Sequence, residues 1–517
     1  MNAGTVIVGA GSGGGALAAR LTEDPAQRVT LVEAGPDFPR MEDVPEAVAD
    51  AYEMSVEGQD WGLQAFFLEP PELREPQPYP RGRLVGGSSA VNAAIAQRAS
   101  VEDFDAWLAG GNDEWSWERV LPYFSRLERD LDYGEEPYHG DAGPIPIMRH
   151  QRDEWAASGR AFERACLDRG HPPCPDHNEP GATGIGPIPR NQIGTVRASS
   201  LVTYLAEARE RPNLTILSDT TCTRVLFEGT RAVGVEIECD GRRERLLADR
   251  VVLCAGAIHT PHLLMLSGIG PADVLSRFGI EIVVANEAVG QNLQDHPFAP
   301  VLTLLREPTQ NVGVRAELKF TTAASGGLKD DMMMFPSVLD PATMNMKDVD
   351  TKGLKALTLV SLLAKPRSVG WLTLSSADPH VQPELHVNFL SDPSDIERLM
   401  ESVRLAYELA TTSPLREEIA EILFPDADTV AGDEELEAYI LSVASTSYHA
   451  SCTCRMGPAG DPGAVVSQRL AVHGTECLFV ADASVFPNVP TGLTNLTAYM
   501  TGERLAEWLL NPAASAA

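Results

Sequence analysis

Cationic side chains are scarce in this chain. Lysine and arginine total 41 against 73 aspartates and glutamates in 517 residues, a formal net charge of −32 with histidine neutral. A field of that sign repels phosphate backbones and anionic lipid surfaces, so nucleic acid is not an expected partner. Every lysine falls between Lys319 and Lys365. Cysteine is sparse as well, with eight in the chain. Only Cys452 and Cys454 lie close together, in a CxC spacing that fits neither a zinc ribbon nor a CxxC redox pair. No metal site is expected, and reduced thiols in a cytoplasmic protein are the simplest expectation. Long apolar runs are also missing. Nothing approaches the roughly 18–20 charge-free apolar residues of a membrane span. The opening MNAGTVIVGAG has no basic stretch leading into a long apolar one, so neither secretion nor an integral membrane segment is expected.

What the chain does have is enough length for two to four domains of roughly 100–200 residues each. Apolar residues at 44% and charged residues at 22% are ordinary for a folded globular protein. At the start, Thr5–Val8 is a short β-branched run, a glycine-rich turn follows, Ala16–Leu21 reads as the start of a helix, and Val29–Val32 is a second apolar run. Within this βαβ unit Gly9, Gly11 and Gly14 fit GxGxxG, with Ser12 between them and Glu33 closing the second strand about 20 residues on. The first glycine permits the tight turn, the second lets backbone approach a diphosphate, and the third lets helix pack on strand. Glu33 is placed to accept hydrogen bonds from the ribose hydroxyls of an adenosine, and its charge disfavours a 2′-phosphate there.

A second glycine cluster follows a Pro/Glu/Gln-rich stretch, Tyr52 to Pro80, that reads as a long loop. In RGRLVGGSSAVNAAIAQR, Arg81 to Arg98, the residues Gly86, Gly87, Ser88 and Ser89 precede a helix-like stretch and offer free amides to a phosphate. Strands are expected at Leu214–Leu217, Val225–Glu238 and Arg250–Cys254, the last leading into a turn, a helix and a glycine cap by Gly270. From Val301 to Ser445 the character changes to longer polar loops, strand-like segments such as Gly370–Leu374, and a helical pattern from Ser394 to Thr411. The final stretch returns to strand, loop and helix. The first domain is therefore expected to be completed by the C-terminal residues, leaving a cleft against the second.

Six blocks together resemble the glucose-methanol-choline (GMC) family of FAD-dependent alcohol oxidoreductases. They are VIVGAGSGGGALAARL with Glu33, GRLVGGSSAVN, CAGAIHTPHLLMLSGIG, GQNLQDHP, YHASCTCRMG and VADASVFPNVPTGLTNLTAYM, in that order along nearly the whole chain. The resemblance implies an α/β fold: a Rossmann-like FAD-binding domain, residues 1–150, 206–300 and 446–517, with a second substrate domain built on an antiparallel sheet flanked by helices, residues 151–205 and 301–445. Relatives with covalent flavin carry histidine just before the asparagine of the GGSS block. Here Val91 precedes Asn92, so FAD is expected to be noncovalent.

By the same resemblance His449 matches the catalytic base and Asn495 the second active-site position. An alcohol releases hydride readily only once its hydroxyl proton leaves, and a neutral imidazole suits that task. His449 would take the proton while the carbon passes hydride to flavin N5, and Asn495 would donate to the developing alkoxide. Gly86, Ser88, Ser89 and Asn92, together with Asp482 and Ala483 at a strand end and Cys222 at the adenine end, are the further cofactor positions implied. His259, His262 and His296 are expected to be structural, the last in a buried hydrogen bond. The substrate is expected to be a small-molecule alcohol, primary or aryl by preference. The electron acceptor is expected to be oxygen, a quinone or another small redox cofactor. An FAD-containing hydroxynitrile lyase is the alternative of a different class.

Overall fold

The computed structural model describes residues 4–54, 56–70, 75–307, 313–339 and 354–511. Thr5–Val8, Val29–Val32 and Arg250–Leu253 are short runs dominated by β-branched and leucine side chains, almost all buried. That composition suits strands covered on both faces of a parallel sheet. Thr5 pairs with Val29 on one side and Arg250 on the other. Leu214–Leu217 adds outside Val29–Val32, and Leu478–Val480 outside Arg250–Leu253, so five parallel strands draw on the beginning, middle and end of the chain.

Helix Ser12–Leu21 rises from the first strand and packs against helix Thr494–Leu510. Glycine is required at the crossing, because a Cβ on Gly502 would lie 2.3 Å from the carbonyl oxygen of Gly13. Beside that contact the buried carboxylate of Glu503 accepts from Arg20 Nε at 2.8 Å, Arg126 Nε at 2.8 Å and the Tyr204 hydroxyl. One residue thereby ties both helices to helix Trp117–Leu127.

The second sheet is antiparallel and seven-stranded. Its centre runs through Pro297–Leu305, Ala356–Leu363, Met332–Leu339 and Ala316–Phe320, edged by Gly184–Pro187 and Ile419–Phe424. One face, with Val301, Leu357 and Leu359, joins the main core beneath helix Pro393–Thr411. The opposite face, with Phe298, Val360, Leu362 and Phe335, forms a separate apolar cluster. Both faces are buried, so alternation between apolar and polar residues is largely absent from Pro297–Leu305, Met332–Leu339 and Ala356–Leu363, while Ala316–Phe320 keeps it with its charged residues buried. The sequence reading expected an antiparallel sheet here but named only Gly370–Leu374 as a strand-like segment, so these central strands were not individually placed.

A second departure concerns the stretch after the GGSS cluster. Gly87–Ala90 is one turn of 3-10 helix, and no helix follows until Val101–Ala109. Ala94 has φ +53, Asn92 Oδ1 accepts from Ala94 N at 2.9 Å, and Ala96 N donates to Pro189 O at 2.8 Å. The asparagine turn and the neighbouring strand thus supply the partners that helical hydrogen bonds would otherwise provide. Tyr52–Pro80 is largely loop, carrying a two-residue strand pair, Gln64–Ala65 with Gln77–Pro78. Residues 55 and 71–74 of it lie outside the described residues. Among the described residues no helix is long and apolar enough to cross a membrane.

The helix crossing yields a test. Gly502→Ala drives a methyl into the Gly13 carbonyl and should destabilise the fold by about 1–3 kcal/mol, the usual range for overpacking. The expected result is a lowered midpoint in thermal unfolding, and an unchanged midpoint would contradict the contact.

Candidate active site

A cavity of about 1200 Å³ has walls from both sheets. Small-molecule sites usually measure about 300–1,000 Å³, so this one has room for a large cofactor and a second molecule beside it. One end is built by the first βαβ unit. Gly9 turns with φ +101, and a Cβ there would lie 2.4 Å from the Cys254 carbonyl oxygen, while a Cβ on Gly14 would lie 1.9 Å from the Gly9 carbonyl oxygen. These two glycines let protein approach protein. Gly11 differs, since a Cβ there would meet only Gly87 Cα, at 3.9 Å. Its missing side chain therefore opens onto the cavity. Gly11 also begins helix Ser12–Leu21 without a side-chain cap on the first amides, which leaves donors and the positive end of the helix for an anionic group.

Glu33 lies at the same end. Its two oxygens accept from Ala10 N and Gly35 N, each at 3.0 Å, leaving a lone pair on each for a hydroxyl donor. Burial pushes its carboxyl up to about 7 against those amide bonds and the more distant Arg83. Ser88 and Ser89 line the wall. The Ser88 hydroxyl accepts from Gly82 N at 3.2 Å. The Ser89 hydroxyl is spent on the protein, donating to Gly86 O at 2.6 Å and accepting from Ser200 N at 3.1 Å. Gly86, at φ +108, shapes the turn, and its Cβ would lie 2.9 Å from that of Ala90. Asn92, Cys222 and Ala483 also border the cavity, with the half-buried Cys222 thiol pushed up to about 12 by desolvation. The Asp482 carboxylate accepts from Gly256 N at 2.9 Å, Thr260 Oγ1 at 2.6 Å and Ser484 N at 2.8 Å. It clamps the start of helix Gly256–Leu266 to the last parallel strand.

The other end is organised by Asp295. Its Oδ1 accepts from the main-chain N–H of His296 at 2.7 Å and of His449 at 2.8 Å, and its Oδ2 from the Tyr79 hydroxyl at 2.5 Å and from Thr446 Oγ1. His449 borders the cavity, and its Nδ1 lies 3.0 Å from Nδ1 of the fully buried His296. Burial, with the Arg81 guanidinium as the lesser cause, pushes His449 down to about 3. Its ring is therefore neutral near pH 7, with a lone pair available to take a proton. Arg81 also borders the cavity, its guanidinium 4.2 Å from the centroid of the Tyr79 ring.

Asn495 borders the same cavity as His449. As the second residue of the last helix it turns toward the glycine-rich helix, where its Oδ1 accepts from Ser12 Oγ at 2.7 Å and its buried Nδ2 has no partner. That leaves a spare amide donor at the cavity wall. Leu493, in extended conformation just before the helix, is the residue of this turn that joins Ile95, Phe335 and Leu362 in the apolar cluster on the cavity wall.

Asp295, Tyr79, Arg81 and Leu493 were not singled out from the sequence. The DH pair of NLQDHP was the available signal for the first. His259 and His262 both border the cavity; the ring of His259 lies 4.1 Å from that of Trp61, centroid to centroid, and burial lowers both histidines. Cys452 and Cys454 are buried free thiols. Among the described residues one group, Glu128, Asp130 and His139, is spaced to hold a metal ion. Arg98 pairs with Glu128 and Arg149 with Asp130, so guanidinium groups already meet these carboxylates.

Comparison with known proteins agrees with this geometry. Two family models described as GMC oxidoreductase match residues 12–298 and 366–502. The 5-(hydroxymethyl)furfural oxidase of Methylovorus sp. is 35% identical over 537 residues, covering 98% of each chain. The mitochondrial choline dehydrogenase of Mus musculus is 34% identical over 551 residues, covering 97% of this chain and 88% of its own. Pyridoxine 4-oxidase from Mesorbium loti superposes with a TM-score of 0.89 at 28% identity, covering 99% of both chains. A glycine-lined cradle, a neutral half-buried histidine and these near full-length matches lead to one assignment: the chain belongs to the GMC oxidoreductase family.

Proposed function

We propose that the protein is an FAD-dependent oxidoreductase that converts an alcohol to a carbonyl compound, with His449 as the catalytic base. The observation that carries this reading is a neutral imidazole at one end of a cavity whose other end presents uncapped helix amides, Glu33 and the spare Asn495 amide. Those groups fit FAD: Gly11, Ser12 and Asn495 at its diphosphate, Glu33 at the adenosine ribose, and the Gly87–Ser89 turn along the wall between. Val91 has no nucleophile to form a bond with the cofactor, which is noncovalent. When bound, the flavin supplies the acceptor for the hydrogen and electron pair lost by the alcohol carbon. We assign residues 1–150, 206–300 and 446–517 to holding it, and 151–205 and 301–445 to shaping the substrate end.

His449 accepts the hydroxyl proton at a ring nitrogen. With Asn495 drawn to Ser12, the imidazolium so formed is the group left to hold the alkoxide, by a charge-assisted hydrogen bond. The wall around the substrate end is apolar. Of the carboxylates that border the cavity, Glu33 and Asp482 are engaged with main-chain amides, and Glu53 stands on its exposed side. A primary or aryl alcohol with an uncharged body suits this wall. The named activities of the furfural oxidase and the pyridoxine oxidase support that class, and the choline dehydrogenase supports the reaction type. Reduced flavin is reoxidised by oxygen, a quinone or another small redox partner; Ala93 on the cavity wall leaves space for a small oxidant.

Three outcomes test the assignment. His449→Ala should retain bound flavin yet slow its anaerobic reduction by aryl alcohols about 10²–10⁴-fold, the usual contribution of a general base; an unchanged rate refutes the role. Asn495→Ala should release flavin about 10-fold more readily, as loss of one hydrogen bond implies, and saturating flavin should restore most of the reduction rate. A collapse in reduction with flavin binding intact would return Asn495 to the alkoxide. Because His449 is lowered, protonation removes its lone pair only in acid. The acid limb of kcat/KM should therefore fall well below the ordinary histidine value of about 6.5, and a limb near that value would argue against His449 as base.

A further inference from the structure

Two imidazoles with Nδ1 atoms 3.0 Å apart share one proton between those atoms. Their rings meet edge to face, with centroids 5.1 Å apart and planes at 74°. If His296 is the donor, His449 must carry its own proton on Nε2 and its lone pair is already taken. It then has nothing with which to accept a proton from an alcohol. If His449 is the donor, its Nε2 is bare. The surroundings of His296 select the second arrangement. Its Nε2 is buried with no hydrogen-bond partner, and the backbone groups of Ala364 and Pro490 act on the ring to favour its protonated form, as accepting carbonyls do. Because Nδ1 of His296 already faces His449, that demand for a donor falls to Nε2, which leaves Nδ1 of His296 as an acceptor.

Resting on His449 as the base, we propose that His296 is a positioning residue: it accepts a hydrogen bond from Nδ1–H of His449 and so keeps Nε2 of His449 free of a proton and directed at the substrate hydroxyl. In the reaction the O–H bond breaks, the electron pair stays on oxygen, and the proton forms a new N–H bond at Nε2. His449 is then positive, with Nδ1–H still held by His296. Asp295 makes the arrangement rigid, because its carboxylate accepts the main-chain N–H of both histidines.

The test compares two substitutions and one direct observation. His296→Leu removes the acceptor and should slow anaerobic flavin reduction roughly 10- to 100-fold with bound flavin unchanged, as losses of ligand-orienting and base-orienting partners do. His296→Asn offers its side-chain oxygen where Nδ1 stood and its amide to the carbonyls, and should keep the rate within about threefold, a difference smaller than one hydrogen bond. A purely structural role would make both variants lose flavin or thermal stability together. Proton–nitrogen NMR of the holoenzyme with isotope-labelled histidine, assigned with the His449→Ala variant, should find the resting proton of His449 on Nδ1. A proton on Nε2, or a His296→Leu variant as fast as the parent, overturns the proposal. If instead His449→Ala reduces its flavin at the parent rate, the base assignment itself has failed.

Discussion

The carboxylate of Asp295 joins four separated pieces of chain at one point: Tyr79 from the loop after the first βαβ unit, its own neighbour His296, Thr446 from the short strand beside it, and His449. A buried carboxylate is costly unless donors surround it, and here four do. The backbone that carries the base is held by those bonds at the His449 end of the cavity. The rest of the site follows from it. Once the His449 main chain is pinned, its ring meets His296 on one side and the cavity on the other.

The opposite end depends on backbone rather than on side chains. The glycine turn, the uncapped helix and the Gly87–Ser89 turn present amides, while Glu33 and Asn495 present single oriented atoms. The two ends are held in relation by the crossing of helices Ser12–Leu21 and Thr494–Leu510. That crossing also explains why Asn495 reaches Ser12: the closeness permitted by Gly13 and Gly502 brings the start of the last helix against the start of the first.

The legibility of these features in the sequence varied with how local their causes are. Gly9, Gly11, Gly14 and Glu33 were legible because the turn, the close approach and the strand end are set by residues next to one another. The parallel strands were legible because runs such as TVIV and VTLV carry their burial in their composition. The antiparallel sheet was expected, but most of its central strands were not placed, since both faces are covered and the period-two pattern is lost from all but Ala316–Phe320. The helix-like stretch Val91–Arg98 misled because its alanines favour helix, while its hydrogen-bond partners lie near Pro189, far along the chain. Spacing fixes the place of Asn495 in a helix but not which neighbours its side chain turns toward. The contact that decides this, with Ser12, spans almost the whole chain.

The order in which these pieces leave the ribosome has its own consequence. The glycine cradle is made first, but the fifth parallel strand, the Asp482 clamp and the Asn495 amide arrive within the last few dozen residues. A nascent chain therefore holds an unfinished pocket until Asn495 has been made, and a polypeptide cut short of Leu478 would lack the fifth strand, the clamp and the amide together.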